Sequence, residues 1–398
     1  MPIAKYVNDS LANSSMIRKL FEEGAALKKR HGEEAVFDFS IGNPDVEPPL
    51  SFHEMFLKMA EEDAPKSHGY MPNAGFPDAR AKIAKKVGRE HHVEIDGTNI
   101  IMSVGAAGAL NVVLKSILNQ GDEVIVTKPY FLEYKSYIAN HGGKLTEIRA
   151  AENFDIDVPS VKKALSEKTA AVLINSPNNP TGKVYDEKNI ALLSEVLLEH
   201  GKKCGRFPYL IADEPYREIV YDGIVVPPVL SAYPHAIVVT SYSKNLSLPG
   251  ERIGYIAVGN DIDDKNNLLN ALIWATRVLG FVNAPALMQR IVSNLTNEKC
   301  NVETYAKRRD VFKKVLDDAG LQYNNPQGAF YLFVKVPSKD GKEGNDIAFS
   351  DHLKKYFILG VPGSGFAYPG FIRFAYCVNE SIIKASAAAF KQAVEQWE

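Results

Sequence analysis

The stretch AIVVTSYSKNLSLPGERIGY (236–255) decides how the chain folds. It opens with a mostly apolar run, which is typical of a buried parallel strand, and a Pro-Gly turn follows a few residues later. Between and just after these features lie two hydroxyl side chains, one lysine and one arginine: Ser241, Ser243, Lys244 and Arg252. The pattern predicts a strand that ends in a polar, functional loop.

Similar apolar runs precede this stretch along the chain. They are EVIVT (123–127), AAVLIN (170–175) and YLIAD (209–213), and amphipathic segments such as KNIALLSEVLLEH (188–200) alternate with them. Continuous apolar runs that alternate with helical patterns predict a doubly wound α/β core.

The pattern changes near residue 284. A long helical stretch is predicted to run from there to about residue 319, followed by strands at 329–336 and 371–376, each with a helix after it. A chain of 398 residues is also too long for one simple core. We therefore predict a large α/β domain over 49–283 and a small α+β domain built from 1–48 and 284–398.

Composition argues against several functional classes. Formal net charge is -2, so neither a nucleic acid nor a membrane surface is an expected partner. No apolar run reaches membrane-spanning length, and we expect no signal peptide. The three cysteines lie far apart, which argues against a disulfide framework or a zinc site and favours the cytoplasm. The pair His91 and His92 sits among charged residues and is predicted to be solvated surface rather than a metal site.

Polar residues follow three of the predicted strands. Asn179 lies in SPNNPTG after one strand, Asp213 ends the next, and Lys244 follows the last. Because the carboxyl ends of parallel strands form the ligand crevice, we expect these side chains to converge. There, a desolvated lysine becomes a nucleophilic amine, and an aspartate can pair with a protonated ring nitrogen. Asn179 and the phenol of Tyr216 can donate hydrogen bonds to a ring oxygen.

A phosphate site is predicted beside them. Arg252, Ser241 and Ser243 offer guanidinium and hydroxyl donors. The segment GAAGALNVVLKSIL (105–118) predicts a turn that leads into a helix, whose free N–H groups favour an anion. A ring nitrogen, a ring oxygen, an aldehyde and a phosphate together describe pyridoxal 5′-phosphate.

Taken singly, each of these residues has a simpler interpretation. Lys244 alone would be a surface lysine, and Asp213 alone a helix cap or turn residue. Arg252 and Arg373 alone would form structural salt bridges, and Phe131 alone would belong to the core. Only the ordered set favours a cofactor site.

That ordered set resembles the class I/II aminotransferases, which are fold-type I pyridoxal-phosphate-dependent enzymes. The matching segments are NNPTG, DEPY (213–216), SYSK (241–244) and FIRFAY (371–376), within a span from IGNPD (41–45) to Arg373. The resemblance implies an α/β fold whose large domain holds a mostly parallel seven-stranded sheet between helices, with a smaller α+β domain beside it.

The resemblance also implies a role for each matching residue. Lys244 would be the covalent anchor of the cofactor and the proton carrier, with Asp213 at the pyridine nitrogen and Tyr216 and Asn179 at the ring oxygen. Arg373 would bind the substrate α-carboxylate, helped by Asn179 and the backbone near Gly42. The remaining cofactor contacts would come from Gly105, Ala106, Ala107, Ser241, Ser243 and Arg252 at the phosphate, from Phe131 stacked on the ring, and from Tyr70 reaching the partner subunit's phosphate.

The sequence departs from the family pattern at two places. Ala106 and Ala107 stand where many relatives carry a hydroxyl or a lysine, so only backbone N–H groups can reach the phosphate there. Phe131 replaces the tryptophan of some relatives, which keeps the stacking surface and removes an indole hydrogen bond.

The implied function is amino transfer between an L-α-amino acid and a 2-oxo acid by a ping-pong mechanism through Lys244. A β-lyase acting on cysteine-type substrates uses the same fold and remains the alternative, because Arg373 would serve both reactions. A regulatory binding module is disfavoured, because the catalytic set is intact. The amino donor is left open: Arg277 lies near where some aspartate-specific relatives carry an arginine.

The segment HGYMPNAG (68–75) resembles the family segment whose tyrosine crosses to the other subunit, and this resemblance of Tyr70 implies a homodimer with active sites at the interface. Sedimentation at assay concentration is expected to show a dimer. A strictly monomeric and fully active enzyme would contradict this assignment.

Overall fold

A seven-stranded sheet forms the centre of the larger lobe in the computed structural model, which describes residues 3–5, 7–8, 15–338 and 344–397. The strands, in chain order, are β1 (Phe37–Asp38), β2 (Ile100–Ser103), β3 (Glu123–Lys128), β4 (Lys144–Arg149), β5 (Thr169–Asn175), β6 (Tyr209–Asp213), β7 (Ala236–Ser241), β8 (Gly254–Val258), β9 (Tyr323–Asn324), β10 (Tyr331–Lys335), β11 (Ile358–Leu359), β12 (Val361–Pro362) and β13 (Phe371–Ala375). The order in the large sheet is β2-β8-β7-β6-β5-β3-β4, and β8 alone runs antiparallel to its neighbours. The predicted strands at 123–127, 170–175, 209–213 and 236–240 are confirmed.

Helices surround the sheet and build most of the smaller lobe. They are α1 (Ser15–His31), α2 (Leu50–Glu61), α3 (Pro77–His91), α4 (Gly105–Ile117), α5 (Glu133–Asn140), α6 (Val158–Ala164), α7 (Glu187–Cys204), α8 (Val229–Ala232), α9 (Tyr242–Asn245), α10 (Lys265–Val278), α11 (Ala286–Ser293), α12 (Val302–Asp318), α13 (Asp346–Lys354), α14 (Glu380–Ala385) and α15 (Ala387–Glu395). None of the helices in the described part of the chain is both long and apolar enough to cross a membrane.

Both faces of the large sheet are buried at its central strands β5, β6 and β7, which explains why these strands are mostly apolar, whereas the edge strand β4 is only partly buried and carries polar residues. Val238 packs into the core on one face, and its neighbour Val239 packs into the core on the other. Since successive side chains of a strand point to opposite faces, a strand covered on both sides needs a continuous apolar run. The predicted α/β architecture with a mostly parallel sheet is confirmed.

The smaller lobe is built on an antiparallel sheet in the order β12-β13-β10-β9, next to the parallel pair β1 and β11. Its core is rich in aromatic side chains, among them Phe39, Phe312, Phe374 and Phe390, whose rings contact one another. Phe39 comes from the N-terminal segment. That segment therefore packs with the C-terminal lobe.

The single helix predicted from about 284 to about 319 is wrong. The structure has two helices there, α11 and α12, and residues 294–301 lie between them. A tertiary contact accompanies the break. The N–H of Cys300 donates to the carbonyl oxygen of Asn245 and therefore does not form the hydrogen bond that a continuous helix would require. Asn301 then caps α12 by accepting from the N–H of Thr304 at 3.2 Å.

The two helices also pack in different lobes. Met288 and Ile291 of α11 belong to a core that covers the large sheet, whereas Tyr305 and Phe312 of α12 belong to the small-lobe core. The predicted division at residue 284 stays a prediction. From this packing we propose that the chain passes between the lobes within residues 296–301.

The prediction that His91 is solvated is wrong. Its side chain is only 1% exposed, and its Nε2 lies 3.3 Å from a carboxylate oxygen of Glu214. The residue falls on the inward face of α3, where Glu214 of the segment after β6 meets it. His92 is exposed, as predicted. Among the residues that the structure describes, no cluster of possible metal ligands is found.

Gly254 lies where β8 packs closely against neighbouring backbone, so a substitution there tests how tightly the large sheet packs. A β-carbon there would collide with the carbonyl oxygen of Thr240 and lie 3.1 Å from the backbone of Gly105. Overpacking of this kind typically costs about 1–3 kcal/mol, so Gly254→Ala should lower the midpoint of thermal unfolding by several degrees.

Gly259 provides the matched control, because a β-carbon there would lie 3.6 Å or more from its neighbours. Gly259→Ala should leave the midpoint nearly unchanged. Equal midpoints for the two variants in scanning calorimetry would show that the sheet relaxes around Gly254.

Candidate active site

A cleft of about 590 Å³ lies at the carboxyl ends of the parallel strands and is closed on one side by residues of the small lobe. Asn179, Asp213 and Lys244 all line it, as predicted from their places after β5, β6 and β7. Lys244 lies on α9, a single helical turn that starts directly after β7. The structure therefore brings the three side chains together, while their roles stay predictions at this stage.

Lys244 lines the cleft and is half-buried. Its Nζ donates a hydrogen bond to the carbonyl oxygen of Gly42 at 2.8 Å. Burial lowers the pKa of Lys244 to about 8, and the positive charges of Arg373 and Arg252 act in the same direction. A larger share of this amine is therefore neutral near pH 7 than for a solvent-exposed lysine, and the neutral amine is the nucleophilic form.

Gly42 lies against the phenol of Tyr331, and no side chain fits there. A β-carbon at residue 42 would collide with the hydroxyl of Tyr331. The glycine thus allows its own carbonyl oxygen to approach Lys244 closely.

Asp213 is the last residue of β6, and only one of its two carboxylate oxygens has a hydrogen-bond partner among the described residues. Oδ2 accepts a hydrogen bond from the phenol of Tyr134, whereas Oδ1 is buried and has no partner among the described residues. Burial raises the pKa of Asp213 to about 7, the hydrogen bond from Tyr134 opposes that shift, and the charge of Glu214 adds to it. A free, buried acceptor of this kind suits the N–H of a cationic ring.

Arg373 of β13 reaches across from the small lobe and is only 5% exposed. One terminal nitrogen donates to Oδ1 of Asn179 at 3.0 Å, and the other donates to the carbonyl oxygen of Ser40 at 2.7 Å. Its guanidinium carbon lies 4.6 Å from the ring centre of Tyr331 and 4.8 Å from that of Phe366. Its Nε is buried without a partner among the described residues, so the guanidinium can still donate a hydrogen bond to an anion.

Tyr216 places its hydroxyl 2.8 Å from that of Tyr331, and both rings are buried in the cleft wall. Phe131 lines the cleft nearby, with its ring edge-to-face with Tyr134 at 5.6 Å and 79°. Phe131 therefore offers a ring surface for stacking, and Tyr216 offers a phenol.

The far end of the cleft is suited to an anion. Gly105 starts α4 with a φ of +80°, and a β-carbon there would lie 2.9 Å from a terminal nitrogen of Arg252. The guanidinium thus sits directly in front of the helix N-terminus, where free N–H groups and the helix dipole favour negative charge. The other predicted phosphate contacts line the same cleft: Ala106, Ala107, Ser241 and Ser243.

Two predicted site residues, Gly105 and Tyr70, do not line the cleft of the single chain. Gly105 lies beside Arg252, which does line it. Tyr70 is 93% exposed, and its predicted role requires a partner subunit and stays a prediction. Arg277, whose contact with a substrate side chain the sequence left open, is exposed and does not line the cleft.

The sequence interpretation missed several residues that line the cleft: Ser40, Glu133, Tyr134, Tyr137 and Tyr331. A signal existed for Tyr134, because it lies three positions after Phe131 in KPYFLEY, a spacing that puts two side chains on one face of a helical turn. Tyr331 had no such signal, since an aromatic residue within a strand is expected in the core.

These residues fit pyridoxal 5′-phosphate. The unpartnered Oδ1 of Asp213 matches the ring nitrogen, Lys244 matches the aldehyde carbon, and Arg252 with the start of α4 matches the phosphate. Phe131 and Tyr216 would contact the ring and its hydroxyl.

Comparisons with known proteins agree with this geometry. The sequence model of the family described as aminotransferase class I and II matches residues 34–390. A probable aspartate aminotransferase of Methanocaldococcus jannaschii is 31% identical over 90% of this chain and 93% of that protein. A probable aspartate/prephenate aminotransferase of Aquifex aeolicus is 32% identical over 91% of each chain. The crystal structure of an amino transferase from Eubacterium rectale superposes with a TM-score of 0.95, 37% identity and full coverage of both chains.

The lowered pKa of Lys244 predicts the pH dependence of its reaction with the cofactor. Only the neutral amine attacks an aldehyde, so the rate of covalent attachment of pyridoxal 5′-phosphate should rise with pH through about 8 and level off above it. Borohydride trapping followed by peptide mass spectrometry measures that rate at Lys244.

Two variants serve as controls for this experiment. Lys244→Ala should remove the attachment, whereas Lys162→Ala, at an exposed ion pair with Glu199, should retain it. A half-maximal rate near pH 10.5, the value of an unperturbed lysine, would mean that the amine is solvated.

Proposed function

This chain belongs to the class I and II aminotransferases, a family of pyridoxal-phosphate-dependent enzymes, and we propose that its cleft transfers an amino group between an L-α-amino acid and a 2-oxo acid with Lys244 as the proton carrier. One observation carries the assignment of residues. A desolvated amine, an unpartnered carboxylate oxygen and a partly unpartnered guanidinium line one cleft: those of Lys244, Asp213 and Arg373.

The cofactor, when bound, supplies the carbon that takes up the amino group and a ring that accepts electron density. Asp213 would accept a hydrogen bond from the ring nitrogen through Oδ1, while Tyr134 holds Oδ2 and fixes the carboxylate plane. The ionised form of Asp213 stabilises a protonated ring nitrogen, and that charge would in turn offset the cost of burying the carboxylate.

Lys244 has a second function once its amine is free. In its neutral form it would take the proton from the substrate α-carbon and return it on the cofactor side, so that one group acts as base and then as acid. The carbonyl oxygen of Gly42, 2.8 Å from Nζ, can hold the amine in place between the two positions.

Arg373 would bind the substrate α-carboxylate. Asn179 and the backbone of Ser40 hold its two terminal nitrogens, so the planar fork is oriented before a substrate arrives. Because β13 belongs to the small lobe, binding at Arg373 would also draw that lobe toward the cleft and exclude water.

We propose a homodimer in which Tyr70, exposed in the single chain, reaches the phosphate site of the partner subunit. A cytoplasmic location remains the expectation, and Cys204, Cys300 and Cys377 are unpaired in the structure.

The test combines amino transfer with an Arg373→Lys variant. Wild-type enzyme loaded with pyridoxal 5′-phosphate should convert pyruvate to L-alanine at the expense of another L-α-amino acid, which becomes its 2-oxo acid. Loss of a paired, charge-assisted contact costs on the order of 2–5 kcal/mol, so the variant should lose roughly 30-fold to several thousand-fold in kcat/KM. Against a simple amine without a carboxylate the variant should lose little.

Other outcomes would point to a different reaction or to a different role for Arg373. Release of pyruvate and ammonia from a cysteine-type substrate, without any 2-oxo acid acceptor, would show a β-lyase. Equal losses of the Arg373 variant against amino acids and simple amines would make Arg373 a structural residue.

A further inference from the structure

Glu133 is a carboxyl group of the cleft that the proposed reaction does not use. It starts α5 two residues after Phe131 and lines the same cleft as Lys244 and Arg373. Its Oε2 is buried and has no hydrogen-bond partner among the described residues. An unpaired buried carboxylate costs stability, so such a group in a ligand cleft marks a position where a ligand supplies the partner.

Glu133 lines the same cleft as Arg373, the residue that would bind the substrate α-carboxylate. Burial raises the pKa of Glu133, and the one charged side chain that counteracts this shift is Arg373. Asp213, the other carboxyl group lining the cleft, is held by Tyr134. Glu133 therefore offers one carboxylate oxygen without a partner in the cleft that also contains the residue that would bind the substrate α-carboxylate.

The cations of the cleft are already assigned. Among the cleft-lining residues that the structure describes, the lysines and arginines are Lys244, Arg252 and Arg373. The proposed function gives these to the cofactor carbonyl, the phosphate and the α-carboxylate. A second carboxylate on the substrate would therefore find no free cation of this chain in the cleft and would meet Glu133.

We propose that Glu133 sets the side-chain specificity of the enzyme. It disfavours dicarboxylic amino acids. It favours amino acids whose side chain carries a hydrogen-bond donor, such as a carboxamide, in place of the second carboxylate. Like charges placed together are strongly repelled in a partly desolvated site, whereas a donor satisfies the orphaned oxygen. The inference rests on the proposed function, because Arg373 must orient the substrate. It also departs from the aspartate named for the relatives from Methanocaldococcus jannaschii and Aquifex aeolicus.

Succinate and succinamate test the proposal, since they differ only in a carboxylate against a carboxamide. Titration calorimetry of the enzyme loaded with pyridoxal 5′-phosphate should show succinamate binding at least about tenfold more tightly than succinate. Glu133→Gln should remove that preference, mainly by binding succinate more tightly. The kcat/KM ratio of L-asparagine to L-aspartate, with the monocarboxylic acceptor pyruvate, should fall by a similar factor.

Glu187→Gln is the matched control, because Glu187 also opens a helix, α7, but is exposed and does not line the cleft. It should leave the preference unchanged. Wild-type enzyme that binds succinate as tightly as succinamate would overturn the proposal without any variant. An unaltered preference in Glu133→Gln would overturn it as well.

The two readouts separate this inference from the proposed function. Calorimetry reports the effect of Glu133 on binding, whether or not amino transfer occurs. Absence of alanine formation from pyruvate with every donor would contradict the proposed function, while a ligand preference that depends on Glu133 would still stand.

Discussion

The buried guanidinium of Arg373 is the group on which the arrangement of the cleft depends. It is almost completely removed from water. Burying a charge without hydrogen-bond partners has a large desolvation free energy, so the guanidinium needs partners in the protein. Its partners, Ser40 and Asn179, lie 333 and 194 residues away along the chain. These bonds hold the N-terminal segment, the loop after β5 and the small-lobe sheet in one relative position, which is the position that forms the cleft.

Burial shifts the pKa values of Lys244 and Asp213 in opposite directions, and both shifts favour the neutral form of the group. It lowers the pKa of Lys244 to about 8 and raises that of Asp213 to about 7, so each group lies closer to its neutral form than it would in water. In the proposed function, a cationic ring nitrogen would restore the charge of Asp213, and an aldehyde would react with the neutral amine of Lys244. The protein thus carries part of the cost of desolvation before the ligand binds.

The reaction and the substrate are decided by different parts of the cleft. The groups that would perform the chemistry end strands of the large sheet or follow them directly, where rigid elements determine their positions. The side chain of the substrate would instead meet the segment from Phe131 to Glu133, which opens α5, and any residue that a partner subunit adds. Family membership therefore constrains the reaction more closely than the amino acid that undergoes it.

The sequence by itself determined the α/β core and most of the site. The strands that end at Asn175, Asp213 and Ser241 follow from apolar runs and turn residues, which are local signals, and the ordered polar residues after them indicated the cofactor. Only the tertiary structure decided that residues 294–301 interrupt a helix, that His91 is buried against Glu214, and that Glu133 faces the cleft unpaired. Each of these depends on a polar group whose partner, or lack of one, is set by segments far away in the chain, and local periodicity carries no information about such contacts.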